Sequence, residues 1–175
     1  MNEQDSTIRQ DWLAEADRLI TEGDLRFHRE AFADARPCFR AALDLRQAAV
    51  GEQHEIVAVA LNRLANVYYQ EKNDRVAGEL FARALAIREA VLPPDAPDLR
   101  LSVNNLANAY RNQGRFAEAE PLYRRSLRMR EQEAGHPDHP AIWRNLARVL
   151  EGQGKRAEAA EFAERIREFE SARAR

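Results

Sequence analysis

The chain has 175 residues, a net charge of −2 and 32% charged residues, a balance with no overall pull toward nucleic acid or membrane. No apolar run approaches the roughly 18–20 residues that cross a bilayer, and the polar segment 1–10 has no apolar signal core. The single cysteine, Cys38, excludes an intramolecular disulfide framework and suits a reducing compartment, so a cytoplasmic location is expected.

Residues 1–10 read as a flexible polar leader. A helix is predicted from about Asp11, packed down by Trp12, Leu13 and Ala14 and continued by Leu19, Ile20, Gly23 and Phe27. A second helix follows from about Phe32 to Val50, with Pro37 in its first turns, where a missing N–H is tolerated. Cys38 stands next to Phe39 on that helix and reads as a small buried hydrophobe. The next pair spans 55–92. Its turn, Glu71-Lys72-Asn73-Asp74, has no glycine but keeps a turn-forming Asn-Asp pair. Pro93, Pro94 and Pro97 then stop the second helix of this pair. A third pair spans 97–134 and closes at Gly135. A fourth spans 137–171, with Asp138 as its N-cap. In its last helix Phe162, Ile166 and Phe169 form one stripe among Glu, Arg and Ala, as a terminal capping helix requires.

These pairs repeat. Leu64-Ala65, Leu106-Ala107 and Leu146-Ala147 correspond, at spacings of 106 − 64 = 42 and 146 − 106 = 40. A large apolar residue lies three before each leucine (Leu61, Val103, Trp143) and another four after (Tyr68, Tyr110, Leu150), forming one helical stripe. On the second helices Ala35, Ala77, Ala119 and Ala159 correspond, followed at +4 by Phe39, Phe81, Tyr123 and Ala163. The first copy departs from this pattern: Glu22 stands where the leucines stand, and Arg26 where the tyrosines do. Such self-similarity marks stacked repeats, each burying its apolar face only against a neighbour.

On these residues the chain resembles the tetratricopeptide repeat (TPR) family over about residues 12 to 170. The closest resemblance is to the long-repeat, kinesin-light-chain-like type common in bacteria. The carrying motifs are Asn104-Asn105-Leu106-Ala107, Gly114-Arg115-Phe116 and His136-Pro137-Asp138. The resemblance implies an all-α fold: a right-handed α-α superhelix, or solenoid, of about four TPR-like helix pairs. It also implies a single domain over 11–172 after the leader, and first helices that line a concave groove. It points to a non-enzymatic adaptor or scaffold for protein–protein interaction that binds an extended peptide.

With the apolar stripe turned inward, its flanks are left for that groove. They are Asn62, Arg63, Asn66 and Tyr69 in the second repeat; Asn104, Asn105, Asn108 and Arg111 in the third; and Arg144, Asn145, Arg148 and Glu151 in the fourth. An asparagine side chain offers one acceptor and two donors, so it can pair with both N–H and C=O of an extended backbone. The arginines add bidentate capture of carboxylates, which favours an acidic partner. Asparagine is a poor helix former by several tenths of a kcal/mol against alanine, so solvation alone is a weak reason for so many. A C-terminal carboxylate clamp, as in some short-repeat TPR modules, is not expected. Asn66 and Asn105 fill its two asparagine places, but Asn62, Ala141 and Asn145 stand where its cations belong.

Other chemistries find little support. His136, Asp138 and His139 lie in the inter-repeat signature, and no metal site is expected there. Arg124, Arg125, Arg128 and Arg130 lack interleaved aromatics, which argues against nucleic acid. No phosphate loop, cysteine cluster or nucleophile–base spacing appears, so no enzyme, cofactor or membrane partner is expected. The rival reading is a structural self-assembly module. Residues 1–35 carry a charge of −5 and residues 100–130 a charge of +5, from four Arg against nine acids and seven Arg against two. The expected state is a monomer or weak homo-oligomer.

Overall fold

The computed structural model describes residues 3–131 and 140–173. The described residues form eight helices: α1 (Glu3–His28), α2 (Phe32–Val50), α3 (Glu55–Gln70), α4 (Asp74–Val91), α5 (Pro97–Asn112), α6 (Phe116–Glu131), α7 (Pro140–Gly152) and α8 (Arg156–Arg173). The architecture is all-α, in four helix pairs, as the repeat predicts. The helices gather into two compact units, 1–94 and 95–175. The helix stop at Gly135, the N-cap Asp138 and the His136–His139 signature lie outside the described residues.

In the first unit α1 packs on α2, α2 on α3, and α3 on α4. The core gathers Phe39 and Leu43 of α2, Val57, Leu61 and Leu64 of α3, and Ala84 and Ile87 of α4. Helix α1 starts at Glu3, eight residues before the expected Asp11. Extending a helix that is already nucleated fixes one residue per added hydrogen bond, so a polar segment can join a packed helix without burying anything. Trp12 does not pack α1 down: it is 37% exposed, and Ala16, one turn on, is fully buried instead. The misaligned Glu22 is exposed and pairs with Arg26 at 2.5 Å. The next residue, Gly23, aligns with Ala65 and Ala107 and is buried. A Cβ on it would lie 2.6 Å from the ring of Phe39. The first copy thus keeps the small-residue site of the repeat and gives up the leucine and the tyrosine.

One backbone feature recurs without a matching residue. Glu30, Lys72, Gly114 and Gly154 all have left-handed φ, at 59°, 61°, 72° and 77°. They stand at spacings of 72 − 30 = 42, 114 − 72 = 42 and 154 − 114 = 40, at the end of each first helix. This is the conformation that ends a helix and reverses the chain, and glycine adopts it at least cost. Two copies therefore carry a side chain where the turn disfavours one. Asn73 completes the second turn by capping α4, its side chain accepting from the Val76 N–H at 3.4 Å. Pro37 and Pro121 are each the sixth residue of their helices. That is beyond the open first turn expected for Pro37, so each ring removes one ladder hydrogen bond while the helix continues.

The second unit packs α5 on α6, α6 on α7 and α7 on α8. Its core joins Tyr123 and Leu127 of α6, Trp143, Leu146 and Leu150 of α7, and Ala159 and Phe162 of α8, with Ile166 and Phe169 packed against it. The expected stripe on α8 therefore faces inward. Glu120 ties this unit together. Its side chain, 14% exposed, accepts from Arg124 at 2.8 Å, from Gln153 at 2.9 Å and from Lys155 at 2.6 Å. Burial alone would raise its pKa, but these donors outweigh it and hold the carboxyl at about 2. Arg124 reaches on to Glu158 of α8 at 2.5 Å.

Candidate functional site

The flanking polar residues fall into two separate groups, one in each unit. In the first unit, Asp24, Phe27 and His28 of α1, Phe39 of α2, and Arg63 and Asn66 of α3 line a cleft of about 110 Å³. Arg63 Nε lies 3.2 Å from Asp24 Oδ1, an ion pair at contact distance, yet that N–H makes no aligned hydrogen bond. Asn62 is half-buried on the same helix. Tyr69 is half-buried and turned toward the core, its ring edge-on to Phe81 with centroids 6.5 Å apart.

In the second unit the side chains are linked to one another. Asn108 Oδ1 accepts from Tyr123 Oη at 2.6 Å and from Asn145 Nδ2 at 3.2 Å. Asn145 Oδ1 in turn accepts from Arg111 Nη1, and Arg111 also donates to Asn112 Oδ1 from Nε at 3.3 Å and from Nη2 at 2.9 Å. A fully buried tyrosine on α6 thus anchors a chain that crosses from α5 to α7. Such a network holds its members in fixed rotamers. It also occupies the Asn108 acceptor, so Asn108 is less open to a ligand than an isolated surface asparagine.

Asn104 lies one helical turn before Asn108 on α5, and Arg111 about one turn after. On α7, Asn145 and Arg148 follow the same order. Arg148 is exposed. Arg144 is paired with Glu170 of α8 at 2.5 Å. Asn105 is half-buried. Around Asn104 the face opens into a second cleft, of about 240 Å³, lined by Arg100, Leu101, Asn104, Ser126, Arg130, Pro140, Ala141 and Ile142.

Two groups of this molecule escaped the sequence reading. Arg46 and Arg88 are buried cations, 6% and 5% exposed. Arg46 donates to the Ile56 carbonyl at 2.9 Å and to Asp17 at 2.7 Å; Arg88 meets Glu55 at 3.0 Å. Their spacing, 88 − 46 = 42, continues to Arg130 at 130 − 88 = 42. That period was the available signal, hidden because buried arginine runs against the usual hydropathy pattern. The other missed residue is Ser126, fully buried on α6. It occupies the place of Ala42 and Ala84, and nothing in the sequence marks it as anything but a small residue.

The tetratricopeptide repeat profile matches residues 17–90 and 99–169. A comparison with curated proteins finds no match. Among solved structures, BtubC (BKLC) from P. vanneervenii superimposes with a TM-score of 0.82 at 19% identity, over 91% of this chain and 64% of that one. This chain thus spans just under two thirds of that protein. A Podosopora anserina putative kinesin light chain with nearly identical TPR-like repeats gives 0.76 at 22% identity, over 91% and 77% of the two chains. MamA gives 0.66 at 17% identity, over 91% and 75%. At such identities the likeness is one of fold. The profile, by contrast, covers most of the sequence, and the chain belongs to the tetratricopeptide repeat family.

Proposed function

We propose that this chain is a non-catalytic interaction module that binds an extended, acidic segment of another protein across α5 and α7. The observation that carries this reading is the Tyr123–Asn108–Asn145–Arg111 network. It holds polar side chains of two neighbouring first helices in fixed positions on one face, and a preformed polar surface costs less to order on binding than a flexible one. Asn104, Asn105 and Asn145 would pair with the backbone of the segment, and Arg111, Arg144 and Arg148 with its carboxylates. Asn62, Arg63 and Asn66 of α3 would offer a separate contact of the same chemistry, without Tyr69, which is turned toward Phe81.

The test is selection of peptides from a random display library on the purified protein, followed by titration of the selected peptides. Acidic, extended peptides that lose binding tenfold or more on Arg111→Ala/Arg148→Ala, with helicity unchanged, support the reading. Failure to select any peptide, or equal affinity for the double variant, overturns it.

Self-assembly is a second reading, favoured by one observation. Ile8 and Trp12 lie a turn apart on α1, 46% and 37% exposed. Sedimentation velocity across a hundredfold concentration range, with Trp12→Ser beside wild type, decides it. A mass that rises with concentration in wild type alone supports assembly through α1.

A further inference from the structure

The hydrogen-bond chain from Arg111 to Tyr123 has a direction, and one of its members dictates it. A guanidinium carries only N–H groups and cannot accept. An asparagine amide can turn either way, and a phenol can donate or accept. Arg111 Nη1 meets the side chain of Asn145, so Asn145 must turn its Oδ1 to Arg111. Its Nδ2 is then left facing Asn108, 3.2 Å away, which must answer with Oδ1. That oxygen also lies 2.6 Å from Tyr123 Oη, so the phenol donates. Reversing either amide would set N–H against N–H. Arg111 therefore fixes both amides, whereas Tyr123, able to bond either way, does not.

The consequence falls on Asn108. Its acceptor is taken twice, and its own two N–H groups make no hydrogen bond among the described residues. The residue is half-buried, and its Nδ2 is not among the described polar atoms that are sealed from solvent without a partner. An open asparagine pairs with both the C=O and the N–H of a backbone. Asn108 offers only the donor half of that pairing. The fully buried Tyr123 holds it so from α6, inside the unit.

We infer that Asn108 is a donor-only contact of the α5–α7 face: it takes an oxygen acceptor of the bound segment, a backbone carbonyl or a carboxylate, and makes no use of the N–H beside it. Proline, which lacks that N–H, is therefore tolerated at this point of the segment. Arg111 is the positioning residue, setting the polarity of Asn108 through Asn145. This rests on the reading of α5 and α7 as a peptide-binding face and names the group that Asn108 reads there.

Small probes separate the two halves of an amide. N-methylacetamide donates and accepts, N,N-dimethylacetamide only accepts, pyrrole only donates, and acetate is a charged acceptor. Each is titrated into protein carrying isotope-labelled asparagine, and NMR follows the side-chain NH₂ and carbonyl carbon of Asn108. The NH₂ group should respond to the two amides equally, within about twofold, because the probe's own N–H is not used. The carbonyl carbon should respond to pyrrole about tenfold more in Arg111→Met, where both amides are free to turn, than in wild type. Tyr123→Phe should leave the pyrrole response at the wild-type level, because Arg111 still fixes the direction. An NH₂ response to N,N-dimethylacetamide well below that to N-methylacetamide, or none to either, overturns the inference. So does a pyrrole response as large in wild type as in Arg111→Met, or one that rises equally in Tyr123→Phe. Acetate acting more strongly than N,N-dimethylacetamide supports a carboxylate as the acceptor, and the reverse order a backbone carbonyl. The expected probe results alongside a failed peptide selection would leave Asn108 donor-only and remove the extended-segment reading. Selected peptides alongside a full pyrrole response in wild type would do the opposite.

Discussion

Glu120→Gln tests the electrostatic tie between α6, the α7–α8 turn and α8. The wild-type carboxyl has a pKa of about 2 in the folded protein against an ordinary 4.5. Because the folded value is the lower one, its stabilisation is fully present above the unfolded pKa and is lost as pH falls through the folded pKa. At 1.36 kcal/mol for each pH unit of difference, the carboxylate contributes about 3 kcal/mol at neutral pH. Its side chain is only 14% exposed, so solvent screening takes a minor share. Glutamine keeps the shape and part of the hydrogen bonding, so the substitution should cost about 2–3 kcal/mol at pH 7. Trp143 reports on this unit, being 8% exposed and packed edge-on to Phe169 with ring centroids 6.3 Å apart. In a Trp12→Phe background its fluorescence follows urea unfolding of the unit alone. The difference between wild type and Glu120→Gln should shrink from its full value near pH 5 toward zero near pH 2. A difference under about 0.5 kcal/mol at pH 7, or one that stays constant across that window, would refute the reasoning.

The glycines give two further tests. Gly23→Ala and Gly152→Ala both drive a Cβ into a phenylalanine ring, of Phe39 and Phe116 respectively. Phe39 is 1% exposed and cannot swing away, whereas Phe116 is only half-buried, so Gly23→Ala should lower stability by about 2–3 kcal/mol and Gly152→Ala by less, read from urea midpoints. At the repeat turns, Lys72→Gly should stabilise by up to about 1 kcal/mol by relieving the left-handed backbone. Gly114→Ala should cost about 1 kcal/mol although open space surrounds its Cβ, so thermal midpoints should move in opposite directions.

The helix pairs were legible because the repeat states them three times. Leu64, Leu106 and Leu146 set a register in which periodicity, turn chemistry and spacing agree, and consistency across copies outweighs the ambiguity of any single helix. The first copy was harder to read because its matching feature is Gly23 beneath Phe39, a contact between α1 and α2 rather than a pattern along either. The left-handed turn was half visible: Gly114 and Gly154 announce it, while Lys72 and Glu30 adopt it because the packed helices on either side impose the reversal. Period alone set the polar flanks beside the apolar stripe, but Tyr69 turns toward the core and meets Phe81. What those residues do there was decided only by tertiary structure. Asn108 could have been an open reader of peptide backbone. Instead Tyr123 and Asn145 reach its oxygen, because α6 and α7 bring them there. Ser126 looked like a small spacer, and only the packing of α5, α6 and α7 leaves its hydroxyl buried beside Asn104 with nothing to bond. Periodicity determines which face of a helix is apolar. Which polar atoms on the other face are satisfied depends on distances between helices, and those exist only once the pairs have stacked.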